Sequence, residues 1–267
     1  MMQYLVQNIE INGNCVPLRC YIPDAAPHAK YREDRPAIIV LPGGAYRGLY
    51  GGEGEPIALQ YLAAGVCAFV LEYSVAPNRF PQALLEVLTA VRYIRDHATE
   101  FGINPQNIAV CGFSAGGHLA GSAGILWKDS RLDGQLEGDR RIYRPDKMIL
   151  CYPVTTFQSH NGSFKNLLGE ENMSPENIAG VSLENFVDED SCPAYIWHNY
   201  DDPGVDIAET LLIGRLLCQK KVPVEMRIYP TGGHGTCLGT YVTKNQEFGC
   251  DKPCAGWVGD TLPFLFR

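Results

Sequence analysis

Long hydrophobic runs are missing from this chain of 267 residues, and none approaches the roughly 20 apolar residues that a membrane-spanning helix requires. Residues 1–10 also lack the basic stretch and the continuous apolar run of a secretory signal. Positive charge is scarce, because 22 Lys and Arg stand against 30 Asp and Glu and leave a net charge of −8. No basic cluster reverses this balance, so we expect neither nucleic acid nor a membrane among its partners.

Metal-binding spacing is also missing, although the chain has ten cysteines. Cys250 and Cys254 form a C-x-x-x-C pair with Cys237 nearby, but no second pair stands at zinc-finger spacing. We therefore expect structural thiols, no metal or other cofactor, and a reduced, cytoplasmic protein. Four further cysteines lie inside apolar strand or helix patterns, where thiols behave as small buried hydrophobes: Cys67, Cys111, Cys151 and Cys218.

Short apolar segments alternate with helical patterns along most of the chain. This alternation is typical of an α/β protein with a mostly parallel sheet flanked by helices. At this length, with 46% hydrophobic residues, we expect one domain over residues 1–267. The predicted strands are 3–9, 15–22, 37–41, 66–71, 107–111, 147–152, 194–198 and 224–229, and the first two form an antiparallel edge hairpin around Asn12-Gly13-Asn14. The predicted helices are 53–64, 81–100, the segment after Ser114, 205–220 and 255–266.

Residues 154–192 interrupt this alternation of strands and helices. They are polar and rich in turn-forming residues, with one short helix predicted after Ser174-Pro175-Glu176. A long excursion between two buried strands is usually functional or disordered, and we expect this one to form a small cap over the site.

One turn carries a candidate nucleophile. Residues 108–120 indicate a short apolar strand, a tight turn that contains Gly112, Ser114 and Gly116, and a helix of small residues. This G-x-S-x-G pattern is the nucleophile elbow, in which a strained backbone projects the serine from the carboxyl edge of the sheet. The simpler alternative is that Ser114 only caps the helix that follows.

Two further strand ends carry a candidate base and acid. The carboxyl ends of parallel strands open onto one crevice, and there the chain has Asp201-Asp202 after 194–198 and His234 after 224–229. A serine hydroxyl needs an imidazole to take its proton, and the imidazole needs a carboxylate to orient it. We therefore predict that Ser114 and His234 act together. His234 could instead be a surface histidine, and the two aspartates compete for the acid role.

The motifs and their order resemble the α/β-hydrolase superfamily over nearly the whole chain. More narrowly, they are similar to bacterial esterases of the acetyl-xylan-esterase and lipase type, which are related to the hormone-sensitive-lipase group. The resemblance implies an α/β-hydrolase fold and a serine carboxylesterase that acts on short-chain esters, above all acetyl esters of a sugar or xylan fragment. The segments that carry the resemblance are 41–46, 72–77, 112–118, 168–170, 182–185, 197–203 and 229–235.

The resemblance also implies site residues. Its spacing selects Asp202 as the acid ahead of Asp201, although Asp206 stands where the family usually has proline. Its HGGG loop corresponds to Pro42-Gly43-Gly44-Ala45, which makes the N–H groups of Gly44 and Ala45 oxyanion donors beside that of Ala115. Pro42 replaces the histidine of that loop and Ala45 replaces its last glycine. Tyr46 and Tyr200 are candidates for the pocket lining.

The remaining histidines are predicted to be structural. His118, one turn after Ser114, is expected to be a packed residue rather than a base, and the same expectation holds for His28, His97, His160 and His198. Two other functions remain as alternatives: a peptidase of the same fold and a catalytically silent protein that binds a small ligand. The peptidases usually carry a large extra domain, and a silent homologue would have lost Ser, Asp or His. Whether the protein forms homo-oligomers is left open.

Overall fold

Eight strands form one sheet in the part of the chain that the structure describes. That structure is a computed structural model, and it describes residues 2–24, 34–158, 160–243 and 252–267. The strand order is β1-β2-β4-β3-β5-β6-β7-β8. The strands are β1 (Gln3–Ile11), β2 (Asn14–Ile22), β3 (Arg35–Leu41), β4 (Cys67–Leu71), β5 (Ile103–Phe113), β6 (Lys147–Cys151), β7 (Ala194–Asn199) and β8 (Val224–Tyr229).

The pairing of these strands confirms the predicted sheet. β1 pairs antiparallel with β2, and β2 pairs antiparallel with β4. All other neighbours, from β4 across to β8, are parallel. The hairpin turn uses Asn12 and Gly13 at φ of 52° and 77°, the positive values that a two-residue hairpin requires. The sheet is therefore mostly parallel with an antiparallel edge.

Helices cover both faces of the sheet. Along β3, Ile38 and Val40 belong to the core on one face, whereas Ile39 belongs to the core on the other. This alternation follows from the two-residue period of a strand. α1 and α8 pack on the first face, and α2 and α4 pack on the second. The helices are α1 (Glu55–Ala63), α2 (Gln82–Asp96), α3 (Ala98–Phe101), α4 (Ala115–Ile125), α5 (Asn161–Leu168), α6 (Pro175–Ala179), α7 (Ile207–Gln219) and α8 (Trp257–Leu265).

Two helix predictions need correction. The single helix predicted over 81–100 is wrong, because α2 ends at Asp96 and His97 separates it from α3. Within 154–192 the predicted short helix is α6, but α5 precedes it. The first turn of α5 contains Gly162 and Ser163, which are weak helix formers, so no helical signal stood out. His160 caps this helix by accepting a hydrogen bond from the Ser163 N–H.

The described cysteines are all free thiols. Cys67, Cys111 and Cys151 are fully buried as predicted. Cys218 is exposed, so its predicted burial is wrong: it lies on the solvent side of the last turn of α7. Cys250 and His28 lie outside the described residues. Among the residues that are described, no helix is long and apolar enough to cross a membrane, and no group of side chains could hold a metal ion.

Candidate active site

Ser114 lies at the tight turn between β5 and α4. Its backbone has φ of 52° and ψ of −117°, a conformation that costs on the order of 1–3 kcal/mol for a residue with a side chain. The turn closes only because its neighbours are glycines. A Cβ on Gly112 would lie 1.9 Å from the Gly116 carbonyl oxygen, and one on Gly116 would lie 2.2 Å from the Leu41 oxygen. The Ser114 side chain does not cap α4, so its hydroxyl is left for another partner.

That partner is His234. Its Nε2 lies 2.9 Å from the Ser114 Oγ, and its Nδ1 lies 2.8 Å from Asp202 Oδ2. A proton on Nδ1 is shared with the carboxylate, which leaves the Nε2 lone pair to accept from the serine hydroxyl. The loops after β5, β7 and β8 thus bring Ser114, Asp202 and His234 into one hydrogen-bonded line.

Asp202 is buried among hydrogen-bond donors. Its side chain is 0% exposed, and Oδ1 accepts from the N–H groups of Gly204 at 2.8 Å and Val205 at 2.9 Å. His198 Nε2 lies 3.3 Å from Oδ2. Burial alone would raise the pKa of Asp202, but the hydrogen bonds from His198 and His234 outweigh it and hold the pKa well below its ordinary value. The carboxylate is therefore ionised at neutral pH.

Asp201 has a different environment. Its Oδ1 accepts from the N–H groups of Gly232 at 2.7 Å and Gly233 at 2.9 Å, so it holds the loop that leads to His234. The structure brings Asp202, not Asp201, to the imidazole. Asp206, at the position where the family usually has proline, caps α7 by accepting from the Ala208 N–H at 2.9 Å.

The loop after β3 lies directly against Ser114. A Cβ on Gly43 would lie 3.2 Å from the Ser114 Cβ. The next three residues, Gly44, Ala45 and Tyr46, have φ of 135°, 57° and 56°. Within the described part of the chain, the N–H groups of Gly44, Ala45 and Ala115 donate no hydrogen bond. These predicted oxyanion donors are thus unpaired groups at the edge of the Ser114 turn.

A cavity of about 530 Å³ opens at Ser114. α5 and the residue that caps it form one wall, which contacts the loop after β3, since the Asn166 amide donates to the Ala45 oxygen at 2.8 Å. A larger cavity of about 740 Å³ lies near the far end of α4 and does not include Ser114. The lining of the Ser114 cavity consists of Gly44, Ala45, Arg47, Tyr50, Glu53, Ser114, His160, Gly162, Asn166, His234 and Gly235.

The two tyrosines predicted to line the pocket do not line it. Tyr46 is 2% exposed, and its hydroxyl bonds His118 Nδ1 at 2.8 Å beneath the loop. Tyr200 is 69% exposed and borders a separate surface cavity on the far side of Asp202.

Two histidines that were predicted to be structural are buried, and their hydrogen-bond partners do not include the Ser114 hydroxyl. His118 bonds Tyr46 and the Val181 oxygen, and burial lowers its pKa to about 4. His198 bonds Thr210 Oγ1 at 2.8 Å and the Val205 oxygen at 3.0 Å. His160, in contrast, is part of the wall of the Ser114 cavity. The prediction of a purely structural role did not include this position.

Sequence reasoning also missed Glu53 and Tyr152. Glu53 was expected in the first turn of a helix that begins there, but it ends the short 3-10 turn Gly51–Glu53 and is 2% exposed. It accepts a hydrogen bond from the Tyr152 hydroxyl at 2.6 Å. The Tyr152 ring in turn packs edge-on against His234 at 5.1 Å. A carboxylate within a run of glycines, Gly51-Gly52-Glu53-Gly54, was the available signal.

The chain is similar to one protein family and to several known proteins. The BD-FAE family model matches residues 24–217. A xylanase of Butyrivibrio fibrisolvens, endo-1,4-beta-xylanase B, is 33% identical over 84% of this chain and 34% of its own length. An acetylxylan esterase of Xylanibacter ruminicola is 30% identical over 79% of this chain and 43% of its own length. The chain therefore spans less than half of either curated relative.

One solved structure aligns with this chain over similar shares of both proteins. The acetyl ester-xyloside bifunctional hydrolase from Caldicellulosiruptor lactoaceticus is 36% identical, with a TM-score of 0.74, over 85% of this chain and 82% of that one. The sheet order and flanking helices of the present chain are those of an α/β-hydrolase.

Proposed function

The chain belongs to the BD-FAE family of α/β-hydrolases, and on that premise we propose that it is a serine carboxylesterase that hydrolyses short-chain esters. The observation that carries the proposal is the unbroken line of hydrogen bonds from Ser114 Oγ through His234 to the buried Asp202. Three unpaired N–H groups lie beside it. Nucleophile, base, acid and oxyanion donors are the groups that acyl transfer needs.

In the proposed reaction, Ser114 Oγ attacks the ester carbonyl while His234 Nε2 takes the hydroxyl proton. The resulting oxyanion accepts hydrogen bonds from the N–H groups of Gly44, Ala45 and Ala115. His234 then gives the proton to the leaving alcohol, which departs and leaves an acyl-serine. Water, activated by the same imidazole, releases the acid and restores Ser114. Asp202 keeps the Nδ1 proton in place and stabilises the imidazolium.

We further propose acetyl esters of sugars or xylan fragments as the substrate class. The cavity wall carries small residues next to Ser114, namely Gly44, Ala45 and Gly235, which leaves space for a short acyl group. Polar side chains line the rest of the cavity, including Arg47 and His160, and these suit a hydroxyl-rich alcohol. Two relatives bear names that refer to acetyl esters.

One experiment tests the proposal at Ser114. Wild type, Ser114→Ala and the control Ser122→Ala, which removes a buried hydroxyl from the same helix, are treated with a fluorophosphonate and assayed on p-nitrophenyl acetate. We expect labelling and turnover in wild type and control, and a loss of more than about 10⁴-fold in Ser114→Ala. Turnover that survives in Ser114→Ala would overturn the assignment, and a wild type without turnover or labelling would favour a silent binding protein.

A substrate panel tests the substrate class. It compares acetylated xylose with longer acyl esters and with dipeptide amides. We expect kcat/KM to be highest on the acetylated sugar and negligible on the amides. A preference for the amides would instead favour a peptidase of the same fold.

A further inference from the structure

The loop that carries the proposed oxyanion donors needs support from outside itself. Ala45 and Tyr46 both have positive φ, which side chains disfavour, and such conformations persist only where the surroundings hold them. In the family that the sequence resembles, a histidine begins this loop, and here Pro42 takes its place. Proline has neither a backbone N–H nor a polar side chain, so Pro42 donates no hydrogen bond to the loop.

The peptide bond between Pro42 and Gly43 is held at both ends. The Pro42 oxygen accepts a hydrogen bond from the Tyr73 hydroxyl at 2.5 Å. The Gly43 N–H donates to Glu53 Oε2 at 2.7 Å. Tyr73 and Glu53 are each 2% exposed, so neither contact competes with water. This peptide immediately precedes the peptides that carry the proposed donors at Gly44 and Ala45.

Glu53 also reaches the opposite side of the site. Its Oε1 accepts from the Tyr152 hydroxyl at 2.6 Å, and the same hydroxyl accepts from the Cys237 N–H at 3.1 Å. Cys237 follows His234 by three residues in the same loop. One buried carboxylate therefore connects the oxyanion loop to the loop that carries the proposed base.

We propose that Glu53 is a positioning residue for the oxyanion site, and that with Tyr73 it fixes the Pro42–Gly43 peptide so that the Gly44 and Ala45 N–H groups point at the developing oxyanion. The proposal rests on the proposed esterase function. Glu53 lines the Ser114 cavity, but its two oxygens accept from Gly43 and Tyr152, so the role assigned to it is positioning and not catalysis. Burial raises the pKa of this carboxyl, while the hydrogen bonds from Tyr152 and Gly43 lower it.

The main variants are Glu53→Ala, Glu53→Gln and Tyr73→Phe. Glu53→Ala removes both acceptors, whereas a glutamine can still accept from Gly43 through its carbonyl and donate to the Tyr152 oxygen. Tyr73→Phe releases the other end of the same peptide. The matched control is Glu55→Ala, because Glu55 is two residues away and accepts from the Tyr21 hydroxyl at 2.8 Å, away from the loop.

Kinetics per titrated site separate positioning from folding. Active sites are counted by fluorophosphonate labelling, and kcat and KM are measured on p-nitrophenyl acetate. A methyl trifluoromethyl ketone reports on the oxyanion site, since Ser114 adds to its carbonyl and the resulting oxyanion occupies the same donors. We expect Glu53→Ala and Tyr73→Phe to lose about 10- to 100-fold in kcat with KM little changed, and the Ki of the ketone to rise in parallel. Glu53→Gln should recover most of the loss.

Hydrogen exchange of residues 42–50 gives a readout that does not need activity. We expect faster exchange in Glu53→Ala and Tyr73→Phe than in wild type and Glu55→Ala. If wild type is inactive but exchange still responds, the positioning role stands and the proposed function fails. If wild type is active but kcat per titrated site, Ki and exchange are all unchanged in Glu53→Ala, the inference is wrong. A fall in the labelled fraction alone would likewise overturn it, because Glu53 would then act only on folding.

Discussion

Two buried carboxylates lie close to the catalytic line, since Glu53 lines the Ser114 cavity and Asp202 bonds His234, and their environments differ. Asp202 has two backbone N–H donors and two histidines around it, whereas Glu53 has one backbone N–H and one tyrosine hydroxyl. The pKa of Asp202 is accordingly lowered, because its hydrogen bonds to His198 and His234 outweigh burial. The pKa of Glu53 is raised, because burial outweighs its two hydrogen bonds. The balance between burial, which raises both pKa values, and the hydrogen-bond donors around each carboxyl decides the direction.

The difference matches the two proposed roles. A carboxylate that stabilises an imidazolium must stay ionised while the proton moves, which a low pKa ensures. A carboxylate that only holds a backbone N–H needs an acceptor oxygen, and a neutral carboxyl or amide can supply one. We therefore expect the amide substitution to be severe at Asp202 and mild at Glu53.

The strongest test of this comparison is Asp202→Asn. The amide can present its NH₂ to His234, which would favour the wrong tautomer and leave Nε2 unable to accept the serine proton. We expect kcat to fall by about 10³- to 10⁴-fold with a small change in KM. Steady-state kinetics on p-nitrophenyl acetate, per titrated site, measure the effect.

The control is Asp201→Asn, which changes the neighbouring carboxylate. An asparagine oxygen can still accept from Gly232 and Gly233, so we expect a loss of less than about 10-fold. A near-normal rate in Asp202→Asn together with a collapse in Asp201→Asn would reverse the assignment of the acid.

A smaller effect is expected in the pH dependence of folding. The folded pKa of Asp202 lies below its unfolded value of about 3.9, so its contribution to stability is present above that pH and is lost as pH falls through the folded pKa. The wild type should therefore lose on the order of 1 kcal/mol relative to Asp202→Asn between pH 7 and about pH 3. Urea unfolding at a series of pH values measures this difference.

Glu53 should affect the pH dependence of stability in the opposite direction. Its folded pKa lies above the unfolded value of about 4.3, so the wild type should gain stability relative to Glu53→Gln as pH falls through the folded pKa. The comparison of the two carboxylates would be contradicted if the stability of the wild type relative to Asp202→Asn and relative to Glu53→Gln changed in the same direction with pH. The titratable groups that face Glu53 are Tyr73, Tyr152, Cys151, Cys237 and His234.

The sequence predicted the sheet because covered parallel strands are continuous apolar runs with turns between them. It also predicted which strand ends carry Ser114, Asp202 and His234, since these follow from the alternation of strands and helices. Asp201 and Asp202 were separated only by the spacing in the resembled family, because adjacent carboxylates after one strand are equivalent in a local pattern. Their different partners appear only once the loop is folded.

Glu53 could not be identified in this way. Its partner Tyr152 is 99 residues away, and a contact of that range leaves no periodicity in the sequence. The sequence predicted Glu53 in the first turn of a helix over 53–64, where a carboxylate interacts favourably with the helix dipole. The chain instead forms a 3-10 turn at Gly51–Glu53 that buries the carboxylate under the loop. His160 was missed for a related reason, since the helix that it caps had no helical signal.

The smallest expected effect concerns His160, on the wall of the Ser114 cavity. Its Nδ1 accepts from the Ser163 N–H at 3.2 Å, so the neutral ring carries its proton on Nε2. Burial and the nearby His234 lower the pKa of His160 and keep the ring neutral. Among the described residues Nε2 has no hydrogen-bond partner, and we expect it to donate to the sugar of the substrate.

His160→Asn tests this donor while keeping α5 intact, because asparagine is a good helix cap and can accept from Ser163. We expect KM for an acetylated xyloside to rise about 2- to 10-fold, the worth of one hydrogen bond, with kcat unchanged. On p-nitrophenyl acetate, which has no sugar, kcat/KM should stay within about two-fold. An equal loss on both substrates would mean that the ring acts on the reacting groups, whereas no loss on either would mean that it does not contact the substrate.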